Sequence, residues 1–441
     1  MAKRLLFRCF MVLVALVSWC CMSTAQTYNL APSTTGGVYV HPDSTGADAV
    51  VRLYNWGSTD VTDFTYNLYY MDTQETEGPI EAHLDTPIPS YESALYKVRV
   101  KPGAQLGSTD VIMSIDKVMG EYNSASVGYT YITRYTVRNV PTKRILMEDY
   151  TGLWCQYCPR GLVVMESLER LYPDQFVGVS IHCGDALDTQ AYGSSMESKW
   201  ASGKPSVWGN RKNKVNTIDG LSDWNELTST PAVMNVNVKA TWDETENNIN
   251  VTTEVIPCME VSDGTQYALA YVLTADSLYN DDWKQVNNYS EWQSYTNAPP
   301  ELDKFKEPVD PVVGLPYNHI ALASKGIENG ISGSLDGDFV TDEPKYHTTT
   351  FDNINQYTLI QRRDMLSIVC MVINTSTGHV ENAATCRVSD GSTNAVKDLS
   401  KLTNATLVGI YSLDGRKLAK AEKGVNILHY SDGTVRKVMC K

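Results

Sequence analysis

At 441 residues the chain exceeds what one hydrophobic core organises, so roughly two to four domains are expected. A formal charge of -14 with no basic block excludes sequence-blind nucleic-acid binding, which needs clustered Lys and Arg to displace phosphate counterions. With 42% hydrophobic residues there is ample material for cores, and 26 Tyr against 7 Phe point to β-rich modules whose rings keep a hydrated hydroxyl.

Residues 1–25 have the three zones of a signal peptide. Lys3, Arg4 and Arg8 form the basic region, Cys9 to Trp19 the apolar core, and Ser23-Thr24-Ala25 a small-residue cleavage site. The apolar core is too short to span a bilayer, so the mature chain is expected to begin at Gln26 and to carry no transmembrane helix. Cleavage removes three of the ten cysteines and leaves seven. An odd number in an exported protein implies at least one thiol outside any internal disulfide framework.

Over 26–142 short alternating runs such as "YKVRVK" and "DFTYNLYYM" are separated by turn residues, which predicts an immunoglobulin-like β-sandwich. Its histidines, His41 and His83, stand alone in turn-like sequence and read as surface residues. Over 143–230 the pattern changes to alternating strand and helix. "RILMEDYTG" reads as a strand, and "PRGLVVMESLERLYP" as a helix with Leu162, Met165, Leu168 and Leu171 on one face and Pro173 as its stop. "QFVGVSIHCGD" reads as a buried strand, "YGSSMESKWASG" as a second helix and "KPSVWGNRK" as a further strand. Over 231–388 the text is strand-like again and predicts a second sandwich. A long excursion from about 281 to 316 carries Trp283, Tyr289, Trp292 and Tyr295, with Tyr317 just beyond. Those rings either line a ligand surface or tie the loop down. A polar linker, 389–404, leads to a small β module, 405–441, with an Asp-Gly hairpin turn in "HYSDGTVRK".

The chemistry concentrates in "EDYTGLWCQYCPRG", residues 148–161. A strand feeding a loop that opens a helix places Cys155 near the helix N-terminus. There the free N–H groups and the dipole stabilise a thiolate, making Cys155 the nucleophile. Cys158, one turn further in, is placed to resolve a mixed disulfide. Pro159 suits the first helical turn, and Trp154 shields one side of the pair. A zinc site would need two further ligands, and the adjacent His182 and Cys183 would point to opposite faces of their strand, so no metal is assigned. As a mere staple the pair closes too small a loop to restrict the unfolded chain much.

Together "TGLWCQYCPRG", "VGVSIHCGD" and "GKPSVWGNR" resemble the thioredoxin-like domain of the twenty-eight-kilodalton outer-membrane protein family of Bacteroidota. The resemblance covers about 28–388 and implies a multidomain, mostly β protein: a thioredoxin-like α/β domain between two β-sandwiches. It also implies that Pro205 is the typically cis proline facing the pair and contacting substrate backbone, although Lys204 departs from the usual preceding residue. The C-terminal module is similar to the sorting modules of type IX secretion. That similarity implies export through that machinery and residence in the periplasm, the outer membrane or at the cell surface of a Gram-negative bacterium.

His182 and Asp185, at the end of the strand beside the redox loop, are candidates for a proton relay. Cys183 reads as a core thiol. Cys370 and Cys386 are equidistant from Gly378 in two runs joined by "NTSTGH"; a symmetric hairpin would bring them face to face, either as two buried free thiols or, as the exported location favours, as a structural disulfide. Cys258 and Cys440 have no identifiable partner. Two functions follow. One is an exported thiol-disulfide oxidoreductase acting on protein thiols and disulfides with no cofactor beyond its own disulfide. The other is a surface adhesin or binding protein that keeps the thioredoxin-like domain as a scaffold.

Overall fold

The structure is a computed structural model that describes residues 27–261, 263–290, 298–307 and 309–389, and in the C-terminal segment 407–412, 416–418, 420, 424–430 and 435–440. Strand far outweighs helix, and the chain divides into two compact units, 1–388 and 389–441. Among the described residues no helix is long and apolar enough to cross a membrane.

The first unit opens with a sandwich of two sheets. One holds β1 (Leu30–Thr34), β3 (Ala47–Asn55) and β6 (Ser93–Val100). The other runs in the order β2 (Val38–Val40), β9 (Tyr129–Thr136), β7 (Gly107–Val118), β4 (Val61–Tyr70) and β5 (Glu75–Ile88), with β8 (Glu121–Tyr122) beside β7. Strict alternation is the reason for the layering. Val51, Leu53, Val98 and Val100 of one sheet meet Phe64, Leu68, Val111, Met113 and Ile132 of the other, and their sequence neighbours face outward.

The α/β segment follows. Strand β10 (Ile145–Thr151) leads through the cysteine loop into helix α1 (Pro159–Leu171), which returns the chain to β11 (Phe176–His182), parallel to β10. Helix α2 (Gly193–Trp200) then precedes β12 (Ser206–Gly209), which lies antiparallel on the other side of β10, followed by β13 (Asn213–Lys214) and α3 (Leu221–Ser229). The strand order β11-β10-β12-β13, with the cysteines at the carboxyl end of β10 and a cis Lys204–Pro205 bond before β12, is the arrangement expected of a thioredoxin-like unit. One detail of α1 differs from the periodicity. Met165 and Leu168 are buried as expected, but Leu171 is exposed and Val163 and Val164 are fully inside. The helix is covered on a second side, by the excursion, which a single apolar stripe does not reveal.

The strands of 231–388 join this same sheet. They are β14 (Met234–Trp242), β15 (Ile249–Pro257), β16 (Tyr267–Ala275), β19 (Ile320–Lys325), β20 (Lys345–Phe351), β21 (Leu366–Asn374) and β22 (Val380–Ser389), while β17 (Lys284–Gln285) and β18 (Val312–Val313) pair within the excursion. Ser180 of β11 pairs in parallel with Ile320 of β19, giving one eleven-stranded path, β13-β12-β10-β11-β19-β16-β21-β22-β14-β15-β20. Hydrogen bonding therefore crosses the change of sequence character at 230/231. One face of β16 and β21 (Leu269, Tyr271, Ile368, Val372) packs on Val236 and Val251. The other (Ala270, Val272, Val369, Met371) packs in the core that holds Val177, Val179, Tyr192 and Met196 of the α/β segment.

The expected Cys370–Cys386 bridge is corrected here. Both thiols are free, and across the strands Cys370 faces Ala384 while Cys386 faces Ile368. Gly378, at φ 75°, is the left-handed residue closing the turn and not its centre, and a bulge lies between Val372 and Ile373. The cysteines are thus diagonal on one face. The second unit, described by itself, is a four-stranded sheet in the order β24 (Lys417–Leu418), β23 (Leu407–Ser412), β25 (Gly424–Tyr430), β26 (Val435–Cys440).

Candidate active site: the cysteine pair and its surroundings

Cys155 and Cys158 form a disulfide, with Cα atoms 5.3 Å apart. A tight turn builds the loop: Cys155 N–H donates to Gly152 O at 3.0 Å, and Cys158 N–H to Cys155 O at 3.2 Å. Cys158 occupies the cap position of α1 and its carbonyl accepts from Gly161 N–H at 2.9 Å, with Pro159 supplying a first-turn residue that needs no donor. Cys158 is fully buried and Cys155 nearly so, whereas Trp154 is 54% exposed beside them. The Trp154 indole N–H donates to Cys183 O at 2.8 Å, and the Lys204 ammonium sits 5.9 Å from its ring centroid. Lys204 also pairs with Glu197 at 2.7 Å. Pro205 follows it, one residue before Ser206, which lies opposite Tyr150 near the end of β10. Lys204 therefore lies beside Trp154 at the flank of the cysteine loop, with Pro205 next to it in sequence.

His182 and Asp185 are brought together, Nδ1 to Oδ2 at 2.7 Å. The same Asp185 oxygen accepts Leu153 N–H at 2.7 Å, and the other accepts Leu187 N–H at 2.8 Å. Burial opposes the charge of Asp185, but the His182 hydrogen bond and the two backbone donors outweigh it and hold the carboxyl below its usual range. His182 Nε2 has no hydrogen-bond partner among the described residues. The pair thus tethers Leu153 of the cysteine loop to the end of β11. Cys183 lies buried, its thiol near Ile181 O at 3.6 Å, and burial pushes it up to about 12.

Two residues that the sequence did not single out complete the surroundings. Asp149 on β10 is fully buried, and neither carboxylate oxygen has a hydrogen-bond partner among the described residues. Burial pushes its carboxyl up to about 7, with nearby Arg160 pulling weakly the other way. It lies beneath the first turn of α1: a Cβ at Gly161 would fall 2.5 Å from Asp149 Oδ2, so only glycine lets the turn rest there. The signal for it was present in "ILMEDYT", where two adjacent carboxylates interrupt a strand buried on both faces. Its neighbour Glu148 is neutralised by Arg211, both 1% exposed at the side chain, through Nε at 2.9 Å and Nη2 at 2.8 Å, and accepts the Tyr192 hydroxyl at 2.8 Å.

The second is Gln285, in the excursion, which folds back over the loop. Val286 N–H donates to Leu153 O at 2.8 Å and Asn288 N–H to Gln156 O at 2.9 Å. Gln285, wholly buried, directs its amide nitrogen at Cys155 O (3.1 Å), Gly152 O and Leu153 O (both 3.4 Å). Further along, helix α4 (Asp303–Lys306) places Phe305, with Leu302, against Val163 of α1. Trp283, Tyr289 and Tyr317 are buried and tie this clasp down. Trp292 and Tyr295 lie outside the described residues.

No family model and no curated protein matches the chain. Among solved structures, it is similar to HBP35 of Porphyromonas gingivalis at 12% identity, covering 68% of this chain and 98% of that one with a TM-score of 0.39. A protein from Agrobacterium tumefaciens is similar at 13% identity over 59% of this chain and 100% of its own, TM-score 0.31. A domain of the outer membrane lipoprotein Omp28 from Porphyromonas gingivalis is similar at 16% identity over 36% and 89%, TM-score 0.20. At such distances the functional reading rests on the residues of this chain.

Proposed function

We propose that this chain is an exported thiol-disulfide oxidoreductase acting on protein substrates, with Cys155 as attacking thiolate and Cys158 as resolving thiol. The observation that carries the reading is a cysteine pair at the opening of a helix whose first turn rests on a buried carboxyl, Asp149, with no hydrogen-bond partner among the described residues.

In the reduced pair, the Cys155 thiolate attacks one sulfur of a substrate disulfide. That S–S bond breaks, the second substrate sulfur leaves as a thiolate and takes up a proton, and a mixed disulfide forms. Cys158 then loses its proton toward Asp149 and attacks Cys155 Sγ, forming the bond seen in the structure. The first substrate sulfur departs, two electrons have passed to the substrate, and an external dithiol reduces the pair again. The reverse sequence oxidises a substrate dithiol. Trp154 and the Lys204–Pro205 segment receive the substrate backbone, and His182 and Asp185 act as positioning residues through Leu153. The leader-like residues 1–25 support export, and the module of 405–441 supports delivery by type IX secretion to the cell surface.

The test is dithiol-linked insulin reduction by the chain from residue 26. Cys155→Ser is expected to lower turnover by at least about a hundredfold, because Cys158, the only other described thiol at that helix start, is fully buried and is left with no partner thiol to resolve. Equal rates for wild type and variant would leave the adhesin reading, with the domain as scaffold, in its place.

A further inference from the structure

Thioredoxin-like chemistry needs only the strand, loop, helix and cis proline. Here a segment more than a hundred residues downstream also binds the loop, and it does so through donors aimed at carbonyl oxygens. Five contacts run from the clasp to the redox loop: two backbone N–H groups on Leu153 O and Gln156 O, and three from the Gln285 amide nitrogen on Gly152, Leu153 and Cys155 O. The reversed amide would set its oxygen against those same carbonyls, so the hydrogen bonds themselves fix the orientation. A fourth acceptor, Val286 O at 3.1 Å, shares the same two N–H bonds, while the buried amide oxygen has no hydrogen-bond partner among the described residues. Gln285 is held from behind, since it pairs with Val312 between β17 and β18. Asn287 locks the same turn through Phe305 O at 2.8 Å and Asp310 Oδ1 at 2.9 Å.

We infer that Gln285 is a positioning residue for the redox pair: its amide neutralises the carbonyl dipoles around Cys155 and thereby favours the reduced, thiolate-bearing form over the disulfide. The physical reason is the sign of the charges. Carbonyl oxygens near a thiolate repel it, and in a buried, low-dielectric loop that repulsion is poorly screened. The two N–H bonds of the amide, shared among these oxygens, and the Val286 N–H on Leu153 O offset part of it. Because α1 supplies the attractive field from one side, the clasp removes the repulsive one from the other. The same docking leaves the flank of Trp154, Lys204 and Pro205 uncovered for the substrate among the described residues.

This inference rests on the oxidoreductase reading for its biological meaning, but its measurement does not. The full chain from residue 26 is equilibrated with glutathione, so that the Cys155–Cys158 disulfide and two glutathione thiols exchange with the dithiol and one glutathione disulfide. Gln285→Leu removes the donor and is expected to shift that equilibrium toward the protein disulfide by about tenfold, ~30 mV for this two-electron couple. Gln285→Glu keeps the shape, and its shift is expected to grow as pH rises and the carboxylate forms against the carbonyls. Glu301→Ala, which loosens the far end of the clasp on Ser167 and Arg170, is expected to lower the melting temperature and leave the equilibrium unmoved. The inference is overturned if folded Gln285→Leu stays within about twofold of wild type. Should Gln285→Leu not fold, a Gln285→Glu equilibrium that tracks wild type across pH overturns it equally. An inactive wild type in the insulin assay would end the oxidoreductase reading while the glutathione equilibrium still decided the role of Gln285.

Discussion

Asp149→Asn is expected to flatten the pH dependence of stability between about pH 4 and pH 7. The carboxyl is raised from 3.8 to about 7 in the fold, so across that window the native chain holds a proton that the unfolded chain has released. Stability contributed by the protonated form is therefore complete below the unfolded value, is lost as pH rises, and stops falling once the folded value is passed. With 1.36 kcal/mol per unit, the loss is on the order of 3 kcal/mol for a fully buried group. Denaturant midpoints of the oxidised protein at pH 4.5 and 8 would show it: wild type weaker at pH 8 by that amount relative to the asparagine variant. Parallel profiles for the two proteins would refute the assignment. In the reduced protein the same variant is expected to slow release of a trapped mixed disulfide by about a hundredfold, the typical scale for loss of a general base.

The second large effect is structural. Arg211→Met strips Glu148 of both guanidinium bonds inside a core where each side chain is 1% exposed. Breaking such a pair from one side leaves an uncompensated buried charge and is expected to cost about 3–5 kcal/mol. It would also release Ile327 O, which Arg211 Nη1 holds at 2.8 Å, and so loosen the loop after β19. The paired replacement Glu148→Leu with Arg211→Met is expected to recover most of the loss, read from urea midpoints of the two variants. A double variant no more stable than the single one would show that packing around Tyr192, and not charge, dominates there.

How far the sequence disclosed this molecule depends on whether a feature is local. The order strand, cysteine loop, helix, strand over 145–182 was legible because each element announces itself through its own period and breakers, and Pro205 through its place before β12. Partners are not local. The alternation in β14 and β15 identifies inward residues without saying what they face, so the joining of β19 to β11 was invisible. The near-unbroken burial of "YALAYVLTA" in β16 is what a strand covered on both faces looks like. The Cys370 and Cys386 register depended on where one turn is centred, which a glycine alone does not fix. In the loop, the two cysteines and Trp154 stand out by short-range pattern, while Gln285 hydrogen-bonds to it from a position that no spacing rule connects to it.

Because the sheet runs without a break from β13 to β20, the cysteine-bearing segment is not a transferable part. Excising 143–230 would strip β11 of its neighbour β19 and uncover Val177 and Val179 together with the far side of Tyr192. Such a fragment would present a bare apolar edge strand, a template for self-association. Grafting this chemistry onto another protein, or shuffling it within a genome, therefore requires moving about two hundred and fifty residues as one block.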